Sequence, residues 1–164
     1  SSDVCSSDLK EQALKVLAAR SRDNSRTPMQ WSDDKNAGFT EGTPWIEAPE
    51  NYKEINAETE LKDPDSIYSF YKKLIALRKE KDIIAEGTIE FLEKENADVL
   101  AYRRNYQGEE LIVLNNLTAE NVTIRQQPEW KAYQKRLGNY EKITAEDGKI
   151  TLRPFETIVL DSAL

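Results

Sequence analysis

The residues best suited to chemistry in this sequence lie in one irregular stretch, Ser21–Trp31, which reads SRDNSRTPMQW. It combines two arginines, Arg22 and Arg26, with amide and aromatic side chains, and it fits neither a helical nor a strand pattern. A guanidinium group is always charged and presents planar donors that match carboxylates and hydroxyl groups. The stretch is therefore a candidate for binding a polar ligand.

The amino acids that are missing narrow the chemistry further. The 164 residues include no histidine, which excludes Ser-His-Asp and Cys-His catalysis and most zinc sites within this chain. The single cysteine, Cys5, cannot form an internal disulfide. Any chemistry must depend on carboxylates, arginines and aromatic rings, and we expect neither a metal nor a cofactor.

Composition also limits the partners and the compartment. The formal net charge of -7 argues against a nucleic-acid partner, because phosphate backbones are bound by clustered Lys and Arg. No run of about 18 apolar residues predicts a transmembrane helix, and the beginning of the sequence lacks the pattern of a signal peptide. We expect a soluble, cytoplasmic protein with no nucleic-acid or membrane partner.

The first part of the chain divides into a leader, a helix and a long loop. Residues 1–10, SSDVCSSDLK, are interpreted as a non-native or disordered leader. Apolar residues at helical spacing from Leu9 predict a helix that ends near Arg20, with Ser7 or Asp8 as its cap. Residues 21–63 are rich in turn-forming residues and predict a long functional loop whose aromatic side chains must pack on something.

The second part begins with a helix and continues as strands. DPDSIYSFYKKLIALRKEKD predicts a helix with one apolar face, capped by Asp65 or Ser66. Alternating runs follow: GTIEFLEK, DVLAYRRN, EELIVLNN, NVTIRQQ, KAYQKRL, KITL and FETIVLD. Gly108 and the pair Asp147-Gly148 provide turn chemistry between them. The runs predict an antiparallel β-sandwich in which ELIVL, apolar on both faces, is a central strand.

The order of these motifs resembles a known family. RDNSRTPMQW, AGFTEGTPWI, NYKEIN, the helix SIYSFYKKLIALRK and a β-rich tail ending in LRPFETIVL follow one another as in the C-terminal third of the α-glucosidases of glycoside hydrolase family 13. The sequence is most similar to the group of oligo-1,6-glucosidases, dextran glucosidases and trehalose-6-phosphate hydrolases. The resemblance covers nearly everything after Lys10.

The resemblance implies an α+β fragment of a larger enzyme. Residues 11–84 would be the last segment of a (β/α)8 catalytic barrel, with its active-site loop and final helix, and residues 85–164 would be the C-terminal antiparallel β-sandwich. Retaining glycosidases need two carboxyl groups about 5 Å apart. In the family these groups lie on barrel strands whose motifs are not found in this sequence. We therefore assign no catalytic residue and expect the chain alone to be inactive.

The same resemblance implies a role for the arginines. Arg26 matches the family arginine that reaches the bottom of the pocket for the nonreducing glucose, pairs with an Asp upstream and donates to a sugar hydroxyl. Arg22 could be the pocket residue instead, or could brace the loop through Asp23. Alternatively, both arginines only clamp the loop to the barrel. Trp31 and Trp45 could stack on a sugar or simply pack.

The function that follows is that of a retaining α-glucosidase. The parent enzyme would hydrolyse nonreducing-end α-1,6-glucosidic bonds of a small oligosaccharide substrate by double displacement. Trehalose-6-phosphate hydrolysis is an alternative, because its substrate is also an α-glucoside. A hypothesis of another class is a noncatalytic, carbohydrate-associated β-sandwich module. The RTPMQW loop argues against such a module, which would not need an active-site loop.

Overall fold

The computed structural model describes residues 6–162, which form two compact units divided between Ser66 and Ile67. The first unit holds a helix and a long, mostly irregular segment, and the second holds two sheets with the helices that precede them. These units are defined by packing. The predicted domain boundary between residues 84 and 85 stays a prediction.

Helix α1 of the first unit runs over Ser6–Arg20. Its end at Arg20 is as predicted, but its start lies three residues before Leu9, so the predicted cap positions Ser7 and Asp8 fall within the helix. Of the predicted leader, residues 6–10 therefore lie in α1, and residues 1–5 lie outside the described part of the chain.

The segment predicted as a long loop contains more regular structure than expected. It includes 3-10 turns over Arg22–Ser25, Lys35–Gly38 and Glu50–Lys53, and helix α2 over Ala57–Lys62. The expectation of a loop up to residue 63 is therefore wrong at its C-terminal end. The reason is local, because the Asn56 side chain accepts a hydrogen bond from the Thr59 amide at 2.9 Å and caps α2.

The second unit begins with the predicted helix and continues with eight strands. Helix α3 is Ile67–Glu80, directly after Ser66, and a short helix α4 that was not predicted covers Ile83–Glu86. The strands are β1 Thr88–Leu92, β2 Val99–Tyr106, β3 Glu109–Asn116, β4 Val122–Arg125, β5 Gln134–Gly138, β6 Thr144–Glu146, β7 Lys149–Leu152 and β8 Thr157–Asp161. A 3-10 turn, Pro128–Ala132, precedes β5.

All strand pairs are antiparallel, and they form two sheets as predicted. One sheet has the order β1-β2-β3-β8-β5 and the other the order β4-β7-β6. Strand β3 lies between β2 and β8, which confirms that the doubly apolar ELIVL run is central. Both predicted turns are present: Gln107-Gly108 joins β2 to β3, and Asp147-Gly148 joins β6 to β7, each with positive φ at both residues. Strand β6 was missed because all three of its residues are exposed.

Two apolar clusters hold the second unit together. The larger one contains residues of both sheets and the 3-10 turn: Val99, Ala101, Ile112, Leu114, Ile124, Trp130, Ile150, Leu152, Ile158 and Leu160. The smaller one places Leu77 of α3 and Ile83 of α4 against Leu111 and Val159 of the five-stranded sheet. The predicted apolar face of α3 is only partly buried, since Ile67 remains 73% exposed.

A buried ion-pair network joins the end of α3 to the sheet. The side chain of Asp161 on β8 is fully buried, and its Oδ2 lies 2.9 Å from Arg136 Nε and 3.1 Å from Lys81 Nζ. Burial disfavours the charge of Lys81, but hydrogen bonds and the charges of Asp161 and Glu109 outweigh it and raise the pKa of Lys81. This network contributes most while Lys81 is protonated.

Tyr133 adds a second pH-sensitive contact. Its hydroxyl donates to Glu110 Oε1 at 2.9 Å, and burial, together with this carboxylate, raises the pKa of Tyr133 from 10.0 to about 12. The unfolded chain therefore releases this proton at lower pH than the folded chain. The resulting stabilisation is complete below pH 10 and is lost as the pH rises toward 12.

We expect Tyr133→Phe to flatten the alkaline loss of stability. Phenylalanine has no proton to release, so the free energy of unfolding of Tyr133→Phe should fall less between pH 9 and pH 11.5 than that of the wild type. Urea unfolding at several pH values measures this difference. Tyr71→Phe is the control, because Tyr71 is 60% exposed on α3. Equal slopes for the wild type and Tyr133→Phe would contradict the assignment.

Candidate functional site

The two candidate arginines flank one short turn. After α1 ends, the Ser21 side chain accepts a hydrogen bond from the Asp23 amide at 3.2 Å and caps the 3-10 turn Arg22–Ser25. Arg26 is the C-terminal cap, and its own amide donates to the Asp23 carbonyl at 3.0 Å. Ser25 Oγ closes the turn by donating to the Arg22 carbonyl at 2.9 Å. The sequence thus folds locally into a compact support for both arginines, the Arg22–Arg26 turn, which consists of the 3-10 turn and its C-terminal cap.

Both arginine side chains are exposed on this turn. Neither guanidinium forms an ion pair with another residue of the described range 6–162. The ion pair of Arg22 with Asp23, which would brace the loop, is therefore absent from this range. Buried charges are normally paired, whereas exposed guanidinium groups keep their donors available. The turn can therefore offer two cations to an anionic or hydroxyl-rich partner.

The C-terminal end of the RTPMQW motif is fastened by the side chain of Gln30. Its Nε2 donates to Asn51 Oδ1 at 3.1 Å and to the Ile55 carbonyl at 3.0 Å. These partners lie 21 and 25 residues further along the chain. Gln30 thereby joins the motif to the segment that leads into α2.

The main chain of the motif makes a second set of contacts. The carbonyls of Gln30 and Trp31 accept from the amides of Ala57 and Glu58 at 2.9 Å and 3.0 Å. These amides are the first two of α2, and the first four amides of a helix have no partner within it. The motif therefore satisfies donors that α2 cannot satisfy alone.

A left-handed turn supports the motif from the other side. Asn36 and Ala37 have φ values of 55° and 58°, and the buried Ala37 carbonyl accepts from the amides of Trp31 and Ser32 at 2.9 Å and 3.2 Å. Asn36 tolerates this conformation better than most residues, and its Nδ2 donates to the Thr40 carbonyl at 2.9 Å. The turn fixes the backbone where the motif ends.

The aromatic candidates are more exposed than packing residues would be. Trp31 is 53% exposed and Trp45 is 86% exposed. An exposed indole can stack on a flat apolar face, including that of a sugar ring, or can cover a neighbouring protein surface.

The sequence pointed to the arginines but not to the amides that hold their loop. Gln30, Asn51 and Asn56 each join segments of the first unit through side-chain hydrogen bonds. Amide residues in an irregular segment are a general signal for such bonds. That signal does not identify the partners, which are up to 25 residues away.

Two further features concern metals and membranes. In the described part of the chain, no group of three or more His, Cys, Asp or Glu side chains could hold a metal ion. Across residues 6–162, every helix is too short or too polar to span a bilayer.

Comparison with protein families establishes the class of protein to which this fold and this motif belong. The family model "Alpha amylase, catalytic domain" matches residues 4–87, slightly more than half of the chain, and the model "Alpha-amylase SusG C-terminal domain" matches residues 99–159. The chain belongs to the α-amylase family. The Arg22–Arg26 turn lies in the part that matches the catalytic domain, and most of the two sheets lies in the part that matches the C-terminal domain.

The chain is also similar to curated relatives that are named for particular enzymes. The chain is 46% identical over 151 residues to trehalose-6-phosphate hydrolase of Bacillus subtilis and 42% identical over 153 residues to oligo-1,6-glucosidase of Parageobacillus thermoglucosidasius. These alignments cover 88% and 91% of this chain but 26% and 27% of the relatives. The chain therefore spans about a quarter of the length of these relatives.

Solved structures that are similar to this chain agree with the assignment to the α-amylase family. The crystal structure of Bacillus licheniformis trehalose-6-phosphate hydrolase matches with a TM-score of 0.82 at 42% identity, over 92% of this chain and 28% of that chain. The trehalulose synthase of Pseudomonas mesoacidophila matches with a TM-score of 0.79 at 36% identity, over 92% of this chain and 28% of that chain. The expected arrangement, the end of a catalytic domain followed by a β-sandwich, is confirmed.

Proposed function

We propose that this chain is the C-terminal part of a retaining α-glucosidase that hydrolyses nonreducing-end α-1,6-glucosidic bonds of short oligosaccharides. Its contribution to the active site is the Arg22–Arg26 turn, in which Arg26 binds the terminal glucose. The carboxylates that break the bond belong to the part of the enzyme outside this chain. The enzyme acts in the cytoplasm, and its partner is a small oligosaccharide.

The observation that carries this proposal is the Arg22–Arg26 turn itself. It lies within the part of the chain that matches an α-amylase catalytic domain, and it presents exposed guanidinium groups on a turn that is closed by hydrogen bonds. A planar guanidinium can serve a carboxylate and a sugar hydroxyl at once. The names of the relatives support glucosidase chemistry, since several are oligo-1,6-glucosidases.

Trehalose-6-phosphate hydrolysis is the second candidate. The chain is 46% identical to one such enzyme and 42% identical to an oligo-1,6-glucosidase, so relatives of both kinds support it at a similar level. Both substrates present a nonreducing α-glucosyl unit, which the same arginine could bind. A phosphate would add negative charge, which a second guanidinium such as that of Arg22 suits.

The purified 164-residue chain should hydrolyse none of the relevant substrates. Retaining hydrolysis needs two positioned carboxyl groups, and the proposal places them outside this chain. Product release from isomaltose, a chromogenic α-glucoside and trehalose 6-phosphate is the measurement. The control is the full-length enzyme, which should turn over one of them, and the ratio of kcat/KM for isomaltose and trehalose 6-phosphate decides between the two candidates. If the chain alone turns over a substrate, and changing one of its own acidic residues abolishes that turnover, the catalytic carboxylates do not lie outside this chain and the proposal is wrong.

A further inference from the structure

We propose that Gln30 is a positioning residue that sets the orientation of the Arg22–Arg26 turn. The catalytic consequence of this role rests on the proposed function, in which Arg26 binds the terminal glucose. The structural role depends only on contacts within the first unit. Gln30 is partly buried, whereas Arg22 and Arg26 are exposed.

Both amide hydrogens of Gln30 are used within the chain. One goes to Asn51 Oδ1 at 3.1 Å and the other to the Ile55 carbonyl at 3.0 Å. A backbone carbonyl can only accept, so the Ile55 contact requires a donor at this position of the side chain. Asn51 can turn its amide group to accept or to donate. The Ile55 contact therefore makes glutamine at position 30 chemically specific.

The backbone of Gln30 is fastened to the same region. Its carbonyl accepts from the amide of Ala57, and the next carbonyl, that of Trp31, accepts from the amide of Glu58. With the Asn56 side chain on the Thr59 amide, these bonds satisfy the first three amides of α2. Displacing Gln30 would thus expose the start of α2 as well as the end of the motif.

The segment that connects Gln30 to Arg26 is short. Only Thr27, Pro28 and Met29 separate them, and Pro28 is buried and has a restricted φ angle. We therefore expect a shift of the backbone at Gln30 to displace Arg26 as well. A misplaced guanidinium keeps its charge but loses alignment with its target, and such errors strongly affect rate and binding.

The test is Gln30→Glu, which changes the amide to a carboxylate of nearly the same shape. The carboxylate can only accept, so its contact with the Ile55 carbonyl becomes repulsive. In the 164-residue chain, we expect exchange of the Ala57 and Glu58 amides to accelerate about tenfold or more and the NMR shifts of the Arg22 and Arg26 amides to change. In the full-length enzyme, we expect KM to rise about tenfold with a smaller change in kcat.

The control is Gln12→Glu, which makes the same change on the exposed surface of α1 and should alter neither the exchange nor KM. Unchanged Arg22 and Arg26 shifts in Gln30→Glu would overturn the positioning role. An unchanged KM would also overturn it if Arg26→Ala impairs the same enzyme. If Arg26→Ala is harmless while the shifts move, the glucose-binding role of Arg26 fails and the positioning of the turn by Gln30 is supported.

Discussion

Replacing Arg26 by alanine in the full-length enzyme should lower kcat/KM by more than a hundredfold, about 3 kcal/mol of transition-state stabilisation. Under the proposed function, Arg26 gives a charge-assisted hydrogen bond to the terminal glucose and pairs with a carboxylate elsewhere in the enzyme. Alanine removes the bond and leaves that carboxylate without its partner, and an unpaired buried charge is more harmful than a missing contact. Steady-state kinetics on the terminal α-glucoside substrate measure the loss.

Arg26→Lys should recover little of this activity. Lysine keeps the positive charge, but its ammonium group is a point donor and cannot serve a carboxylate and a hydroxyl in one plane. Arg22→Ala is the matched comparison, because Arg22 lies on the same exposed turn. If both arginines only clamp the loop, all three variants should lower the melting temperature while kcat/KM of the folded enzyme stays near normal. That result would remove Arg26 from the substrate site.

The β-sandwich was the part of the fold that the sequence predicted well. Strand β3 was predicted to be central because ELIVL is apolar on both faces, and Leu111, Ile112 and Leu114 are indeed buried. In β4, Ile124 is buried and Thr123 is exposed, as the alternation predicts. Strand β6 has no buried residue, so its sequence carries no hydrophobic pattern from which it could be predicted.

The structure of the first unit was harder to predict because it depends on polar contacts between residues that are distant in the sequence. Helix α2 has six residues, which is too short to be stable alone, and it depends on Asn56 and on the carbonyls of Gln30 and Trp31. Hydrophobic periodicity contains no information on such contacts. For the same reason, the motif pointed to Arg22 and Arg26, whereas the supporting role of Gln30 needed the structure.

The largest loss of stability in the second unit should come from Asp161→Ala. Asp161 is fully buried and contacts two cations, Lys81 and Arg136, and the side chain of Lys81 is only 11% exposed. Removing the carboxylate leaves Lys81 with Glu109, at 3.3 Å, as its remaining ion-pair partner in the described part of the chain. Breaking one partner of a buried pair typically costs about 3–5 kcal/mol. We expect a loss in this range in urea unfolding followed by circular dichroism.

Two further variants distinguish the stability contribution of this buried network from that of an exposed ion pair. Glu90→Ala removes a carboxylate that is 61% exposed and lies 3.6 Å from Arg103, so it should cost less than about 1 kcal/mol. Asp161→Asn keeps an acceptor but removes the charge, so its loss should lie between those of Asp161→Ala and Glu90→Ala. The effect also depends on pH. Because the pKa of Lys81 is raised above its ordinary value of 10.5, the wild-type advantage over Asp161→Ala should be complete below pH 10.5 and should be lost as the pH rises through the raised pKa. Equal losses for Asp161→Ala and Glu90→Ala would show that burial adds nothing to this ion pair and that α3 is held to the sheet by its apolar contacts alone.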